Sequence, residues 1–495
     1  MKVDRKIWAV SIAFLLLGCA TRFYRLDWSV SGDHTSTLGQ VQSLLDKPFF
    51  LDEFGKNDLL PRAIPVGYVL QAITFKAAGT TEAGSRAGCA LAGALGIGLA
   101  VFFALRLFGL AFGTALGGML ALWPWLLIHS QSNRIYSYAF LFTSAALLAT
   151  CVAWRRNSIF WGALGGGLSA IAIGTHSISA VVPAGLLLFL LAEILTKRSS
   201  IQRRALMGYV VAGVPLMLVA VALTVWAMDH RPAAVAATEA WHRVPHLDGL
   251  AFNVGWSVTL LSVVGWFLSW RSDDPSDRMW AMIAVAIVAA CVLVPFVAAF
   301  RPDYVFPSSL VFFLLATRVL TRVYEAVSPN SKLLAVGVVA AVVLFPLPSF
   351  VSYYQDGDRK DYRTAAAFIE KQFRAGDLVA ADTQGALGYY LDVPVLPAGR
   401  PSTTAPRTIA TLTELASQGK RVWYVCRFAR EEPSPEVDRW FWQNAVRMRR
   451  IMKKRFDYHE NILDVYLFNP DSKDRERIEE EAPRGRPSIT DSLSR

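Results

Sequence analysis

Charge is scarce in this chain: 18% of its 495 residues are Asp, Glu, Lys or Arg, against 54% hydrophobic. So few charges cannot cover a water-exposed surface of this size, which excludes an ordinary soluble globule and points to a chain solvated by lipid. Cysteine is also sparse, at five residues, and Cys19, Cys89, Cys151 and Cys291 sit in apolar stretches with Cys426 apart from them. That distribution excludes a disulfide framework, and the thiols read as small core residues. Histidine is limited to seven residues with no recognised metal-ligand signature around them.

What the chain has in quantity is long apolar runs. Eleven are long enough to cross about 30 Å of hydrocarbon: 7–21, 87–105, 107–128, 135–154, 158–174, 178–195, 205–228, 250–270, 279–300, 304–316 and 333–351. The first and tenth are short, and Arg22 and Arg318 at their ends are expected to snorkel to the interface. With a cytoplasmic N-terminus, the short inward segments hold fifteen basic residues: Lys2, Arg5, Lys6, Arg106, Arg155, Arg156, Lys197, Arg198, Arg203, Arg204, Arg271, Arg278, Arg318, Arg322 and Lys332. The short outward loops hold four, Arg134, Arg231, Arg243 and Arg301. This asymmetry sets an orientation in which everything beyond Val351 lies outside. Much of the net charge of +11 is then topological, and no nucleic-acid binding is read from it. The start of the chain, with Lys2, Arg5, Lys6 and then Leu16-Leu17-Gly18-Cys19, also resembles a bacterial lipoprotein signal; cleavage there would leave the orientation unchanged.

The predicted architecture is a polytopic α-helical module over residues 1–352, a small α/β domain over 353–470 and a charged, disordered tail over 471–495. The first outer loop, 22–86, carries helical periodicity at Leu38, Val41, Leu44 and Leu45 and again from Val66 to Phe75, which predicts helices along the membrane surface. Glu82 and Arg86 are spaced to pair where the chain re-enters the bilayer. The glycine clusters at 113–118 and 162–167 lie inside spans, so they predict close helix packing and not a phosphate loop. In the soluble part, helices are expected at 362–374 and 408–417, and strands at 378–381, 421–426 and 462–468.

The chemistry-bearing residues collect at the outward side. His34, His129, His176, His230, His242 and His246 fall at outward span ends or loops, and His459 in the C-terminal domain. An imidazole there either contacts a ligand or is satisfied by the backbone at the interface. Asp33 lies about ten residues beyond the first run, where a carboxylate serves equally as a catalytic base or as the N-cap of a surface helix beginning near His34. Arg134 opens the fourth run and Arg301 separates the ninth and tenth; a guanidinium at a span end binds phosphate bidentately or snorkels to headgroups. Glu239, His242 and His246, with Asp229-His230 upstream, share one helical face that suits a divalent zinc or manganese ion or simply faces solvent.

Taken together, these segments resemble the GT-C glycosyltransferases that use a polyprenyl-phosphate sugar as donor, a group with protein O-mannosyltransferases and aminoarabinose transferases among its bacterial members. The resemblance runs over about residues 1–375 in an ordered series of motifs: Asp33-His34, Thr81 to Arg86, Ser130-Gln131-Ser132-Asn133-Arg134-Ile135-Tyr136, Thr175-His176, Arg301-Pro302-Asp303-Tyr304, and Tyr353-Tyr354 through Asp361-Tyr362-Arg363 to Gly376-Asp377. Two positions depart from the pattern: His34 stands where the family has a second acid, and Ser132 where it has a glutamate.

The resemblance implies a GT-C-like fold and inverting transfer of a sugar from a polyprenyl-phosphate carrier to a glycan, lipid or protein acceptor. The place of that reaction is the outer face of a bacterial inner membrane, with the C-terminal domain in the periplasm. Asp33 and His34 are the implied catalytic pair, and Arg134, Arg301, His129, His176, Tyr136 and Tyr304 the implied donor-binding set. The resemblance makes no cofactor certain, and a divalent metal remains compatible with it. A transporter or flippase of lipid-linked saccharide, and a catalytically silent glycolipid-binding relative, stay open beside this reading. Transporters of that kind place ionisable groups near mid-membrane, where Glu193 is the clearest case here.

Overall fold

The computed structural model describes residues 5–29, 41, 66–198, 201–229, 254–296, 302–356, 361–399, 405–428, 435–454 and 460–470. They form two compact units, one reaching to Leu26 and then from Val41 to Phe350, the other made of Asp27 to Ser29 and the chain from Val351 onward.

The first unit is helical: α1 (Arg5–Phe23), α2 (Val66–Ala78), α3 (Glu82–Phe108), α4 (Leu110–Leu122), α5 (Pro124–Ser130), α6 (Tyr136–Arg156), α7 (Ile159–Thr175), α8 (Val181–Leu195), α9 (Arg203–Asp229), α10 (Trp256–Trp270), α11 (Pro275–Leu293), α12 (Leu310–Val327) and α13 (Lys332–Leu344). Among the described residues, seven helices are long and apolar enough to cross a membrane, or eight if the bent pair α4–α5 is one span. Two further expected runs, 158–174 and 250–270, correspond to the shorter apolar helices α7 and α10. The expected run at 304–316 divides differently: Pro302–Ser308 is a short 3-10 turn, and α12 then continues to Val327. Proline explains both irregularities. Pro124 cannot donate a backbone hydrogen bond, so the run expected at 107–128 breaks after Trp123 and bends by 60°. Pro307 sits inside the 3-10 turn in the same way.

Lipid is as apolar as the side chains it touches, so helices pair here through close contact and polar ties and not through a hydrophobic drive. The pair α7–α9 uses glycine for this. A Cβ on Gly166 would stand 2.5 Å from the Tyr209 carbonyl oxygen and 2.9 Å from Gly213 Cα. A core of Trp123, Phe140, Trp154, Phe189, Trp280 and Phe313 packs behind it, and the Trp280 indole donates to Cys151 Sγ at 3.2 Å.

Charges are placed inside this unit as pairs. Arg278, at the start of α11, meets Glu193 in α8 through two bonds, Nε to Oε1 at 2.7 Å and Nη2 to Oε2 at 3.1 Å. Arg318 in α12 pairs with Asp277 at 2.6 Å, and Arg155 in α6 with Asp274. Glu193 thus serves as one half of an ion pair. The snorkelling expected of Arg22 is corrected: Arg22 is fully buried and donates to the Ala121 and Leu120 carbonyls at 2.9 and 3.1 Å, capping α4. Its partners lie about a hundred residues away, out of reach of any local reading.

The second unit is an α/β layer. A five-stranded sheet runs in the order β2-β1-β3-β5-β4, from β1 (Leu378–Ala381), β2 (Val395–Pro397), β3 (Val422–Phe428), β4 (Ala445–Lys454) and β5 (Glu460–Phe468). The strands β2, β1 and β3 are parallel, and β5 pairs antiparallel with both β3 and β4. Side chains of β3 alternate between two cores. Trp423 and Val425 pack with Tyr362 and Ile369 of the helix Tyr362–Glu370, while Val422, Tyr424 and Cys426 pack with Leu412 of the helix Ala405–Ser417. The short β2 and the basic β4 were not expected from the sequence. In β4, Arg447 and Arg450 both approach the buried Asp464 carboxylate. The segment Asp27 to Ser29 belongs to this unit: the Arg363 amide donates to Ser29 Oγ at 3.3 Å and its guanidinium to the Asp27 carbonyl.

Candidate functional site

Four residues singled out by sequence come together at helix ends of the first unit. His129 closes α5, Tyr136 opens α6, His176 caps the end of α7, and Tyr304 lies in the turn Pro302–Ser308. Their rings form a continuous series: His129 to Tyr136 at 4.8 Å, Tyr136 to His176 at 5.2 Å and His176 to Tyr304 at 5.5 Å between centroids. The Arg134 guanidinium lies 5.7 Å from the Tyr136 ring centroid. Contact of a guanidinium with a ring face orients its planar donors without consuming them.

Local sequence explains how each ring is held. Pro124 starts α5, about two turns long, and after it the chain turns through 131–135. The His129 carbonyl accepts from the Ser132 amide at 3.3 Å and from Ser132 Oγ at 2.9 Å, so Ser132 closes this turn. Gln131 anchors it from the other side; its fully buried amide donates to the Arg22 carbonyl at 3.1 Å and the Tyr24 carbonyl at 2.7 Å. His176 has an extended backbone (φ −154°) that ends α7, and its carbonyl accepts from the Ser179 amide at 2.9 Å. A further bond, Thr143 Oγ1 to Ser179 Oγ at 3.0 Å, ties that turn to α6.

Two members of the set were missed by sequence reasoning. Phe306 lies 4.3 Å from the His129 ring and packs on Trp123 and Phe140 at 5.3 and 5.5 Å. Trp125 stacks on His129 at 5.6 Å. The signals were present: Trp125 is four residues before His129 on one helix, and Phe306 two residues beyond Tyr304 beside Pro307. His129 and Tyr136 are buried, and Arg134, His176 and Tyr304 are partly exposed. The arrangement offers ring faces suited to the C–H side of a sugar, imidazole nitrogens suited to its hydroxyls, and a cation suited to a phosphate.

Asp33, His34, Arg301 and the trio Glu239, His242 and His246 lie outside the described residues, as do His230 and His459. Among the described residues, no group of three His, Cys, Asp or Glu side chains is placed to hold a metal ion.

The fold has solved counterparts. ArnT from Cupriavidus metallidurans in the apo state superposes with a TM-score of 0.56 at 15% identity, covering 92% of this chain and 97% of that one. The same protein bound to undecaprenyl phosphate gives 0.57 at 15% identity, over 95% and 99% of the two chains. The Archaeoglobus fulgidus oligosaccharyltransferase tethered with an acceptor peptide gives 0.54 at 12% identity, over 86% of this chain and 69% of that one. No protein-family model and no curated protein sequence matches. The chain therefore has a GT-C-like fold: a multi-pass helical membrane module with a small α/β unit.

Proposed function

We propose that the protein is a membrane glycosyltransferase that moves a sugar from a polyprenyl-phosphate carrier to an acceptor on the outer face of a bacterial inner membrane. The observation that carries this reading is the ring series His129–Tyr136–His176–Tyr304 with Arg134 at its edge, in a fold shared almost end to end with a structure bound to undecaprenyl phosphate. A phosphate-linked sugar needs a cation for the departing phosphate and flat apolar surface for the sugar or the first prenyl units, and this set supplies both.

In the proposed reaction an acceptor hydroxyl attacks the anomeric carbon from the side opposite the phosphate. The new glycosidic bond forms as the carbon–oxygen bond to phosphate breaks, and the configuration inverts. Asp33, about ten residues beyond α1 in sequence, takes the hydroxyl proton, and His34 orients that carboxylate or the acceptor. Arg134 and Arg301 balance the charge on the polyprenyl phosphate as it leaves. No step requires a metal. The α/β domain, 353–470, lies on the periplasmic side, and the acceptor is a glycan, lipid or protein; the undecaprenyl phosphate on ArnT supports the lipid-linked donor, and the acceptor peptide on the oligosaccharyltransferase supports a protein acceptor.

The test is transfer by the purified protein in lipid from a panel of polyprenyl-phosphate sugars, for wild type and Asp33→Asn. Loss of a general base lowers turnover by about 10² or more. Undiminished transfer by the asparagine variant would remove Asp33 as the base. Donor binding without transfer by wild type would favour a silent glycolipid-binding protein, consistent with His34 and Ser132 standing where the family has acids.

A further inference from the structure

Helix α2 packs on the side chains of Ile135 and Thr175, which flank Arg134 and His176 in sequence. Gly67 is the contact point: a Cβ there would stand 2.7 Å from Ile135 Cγ2 and 3.2 Å from Thr175 Cγ2, the neighbours in sequence of Arg134 and His176. One turn further along α2, Gln71 is fully buried and works as a hub. Its Oε1 accepts from the Tyr138 hydroxyl at 3.1 Å, and its Nε2 donates to the Ser85 carbonyl. The Cys89 thiol lies 3.4 Å from Gln71 Oε1 and 3.1 Å from the Arg134 carbonyl oxygen, so its hydrogen is shared between the side chain of one and the main chain of the other. Thr74 Oγ1 and the Tyr138 hydroxyl complete the group at 3.0 Å.

A surface helix that only covered apolar neighbours would not need a buried amide at its centre, because each polar group placed there must be satisfied. Here the Gln71 bonds end on α3 and α6, and Cys89 on α3 carries one onward to the Arg134 main chain. The network runs Gln71–Cys89–Arg134 on one branch and Gln71–Tyr138 on the other, and Tyr138 stands two residues after Tyr136 on α6.

We infer that Gln71 is a positioning residue: through Cys89 and Tyr138 it fixes the Arg134 backbone, and with it the guanidinium that meets the lipid-linked phosphate. This rests on the reading of Arg134 as a phosphate ligand and adds to it a named residue on the first loop. Gln71 touches no substrate, so its effect must pass through Arg134.

The experiment measures binding of undecaprenyl phosphate to the purified protein in lipid nanodiscs, alone and alongside donor turnover, for Gln71→Leu, Arg134→Ala and the double variant. Tyr138→Phe, which removes one hydroxyl and keeps the ring, serves as the milder second probe. Removing the hub is expected to weaken binding about fivefold, and Tyr138→Phe about twofold. Both effects should vanish in the Arg134→Ala background, because residues acting through one group are not additive. A purely structural role would lower the thermal midpoint and weaken binding by the same factor in both backgrounds, which would overturn the inference while leaving Arg134 in place. If Arg134→Ala itself leaves undecaprenyl phosphate binding unchanged, the reading of the site fails and this inference with it. Weakened binding without any donor turnover would uphold the positioning role and count against the transferase reading alone.

Discussion

The ion pair between Glu193 and Arg278 offers a sharp test of how the helical unit is held together. It is bidentate at 2.7 and 3.1 Å, with the two side chains 1% and 5% exposed. Arg278 also donates to the Ser272 carbonyl at 2.6 Å, and Glu193→Leu removes the carboxylate that balances this buried guanidinium. Breaking one side of such a pair costs about 3–5 kcal/mol, because the surviving charge is desolvated without compensation. Replacing both, as Glu193→Leu with Arg278→Met, removes the charge together with its partner. It should cost clearly less than the single variant, because no uncompensated charge is left buried. The assay is the thermal midpoint in lipid nanodiscs, followed by tryptophan fluorescence. The single variant should fall by several degrees and the double variant should recover most of that loss. A single variant within about 1 kcal/mol of wild type, or a double variant as unstable as the sum of the singles, would refute the argument that the pair is tightly coupled.

Two further outcomes follow from other parts of the molecule. Gly166→Val places a side chain where the Tyr209 carbonyl oxygen and Gly213 Cα already stand 2.5 and 2.9 Å from a Cβ, so it should part α7 from α9 and cost about 1–3 kcal/mol or more, whereas the same change at Gly167, which has open space, should be near neutral; equal midpoints for the two variants would contradict the packing argument. In the α/β unit, burial pushes the Cys426 thiol and the Tyr424, Tyr362 and Tyr466 hydroxyls well above their ordinary ranges. The folded chain therefore holds these protons at pH values where the unfolded chain has lost them, and stability falls as pH rises past about 8.5 for the thiol and about 10 for the phenols. Denaturant unfolding monitored across that range should show this decline, and Cys426→Ala should flatten its first part; a stability that rises with pH there would have the wrong sign.

The parts of the fold legible in sequence were those set by local pattern. Apolar runs marked most of the helices, and the strands β1, β3 and β5 were expected close to their observed bounds. What escaped had non-local causes. Arg22 was expected at the interface because it ends a short run, but its guanidinium caps α4 through Leu120 and Ala121. The partner of Arg318, Asp277 on α11, was likewise beyond a local reading. The strand β4 is rich in arginine, and its placement depends on the Asp464 carboxylate of β5. The break at Trp123 was readable from Pro124, yet an uninterrupted apolar run hid it. At the site, motif order identified His129, Arg134, Tyr136, His176 and Tyr304, which the fold does bring together. Trp125 and Phe306 carried no motif and emerge only when α5 and the turn Pro302–Ser308 pack face to face. The hub at Gln71 was invisible for the same reason: periodicity assigned α2 to the membrane surface but gave its one buried amide no partner.

The central claim is that this protein consumes a polyprenyl-phosphate sugar. The most direct measurement incubates the purified wild-type protein in proteoliposomes with a panel of such donors and candidate acceptors, and follows both lipid and sugar by mass spectrometry. The account predicts that at least one donor is converted to free polyprenyl phosphate, with its sugar recovered on an acceptor in inverted configuration. Intact donors throughout, or donor lipid carried across the bilayer with its sugar still attached, would contradict it.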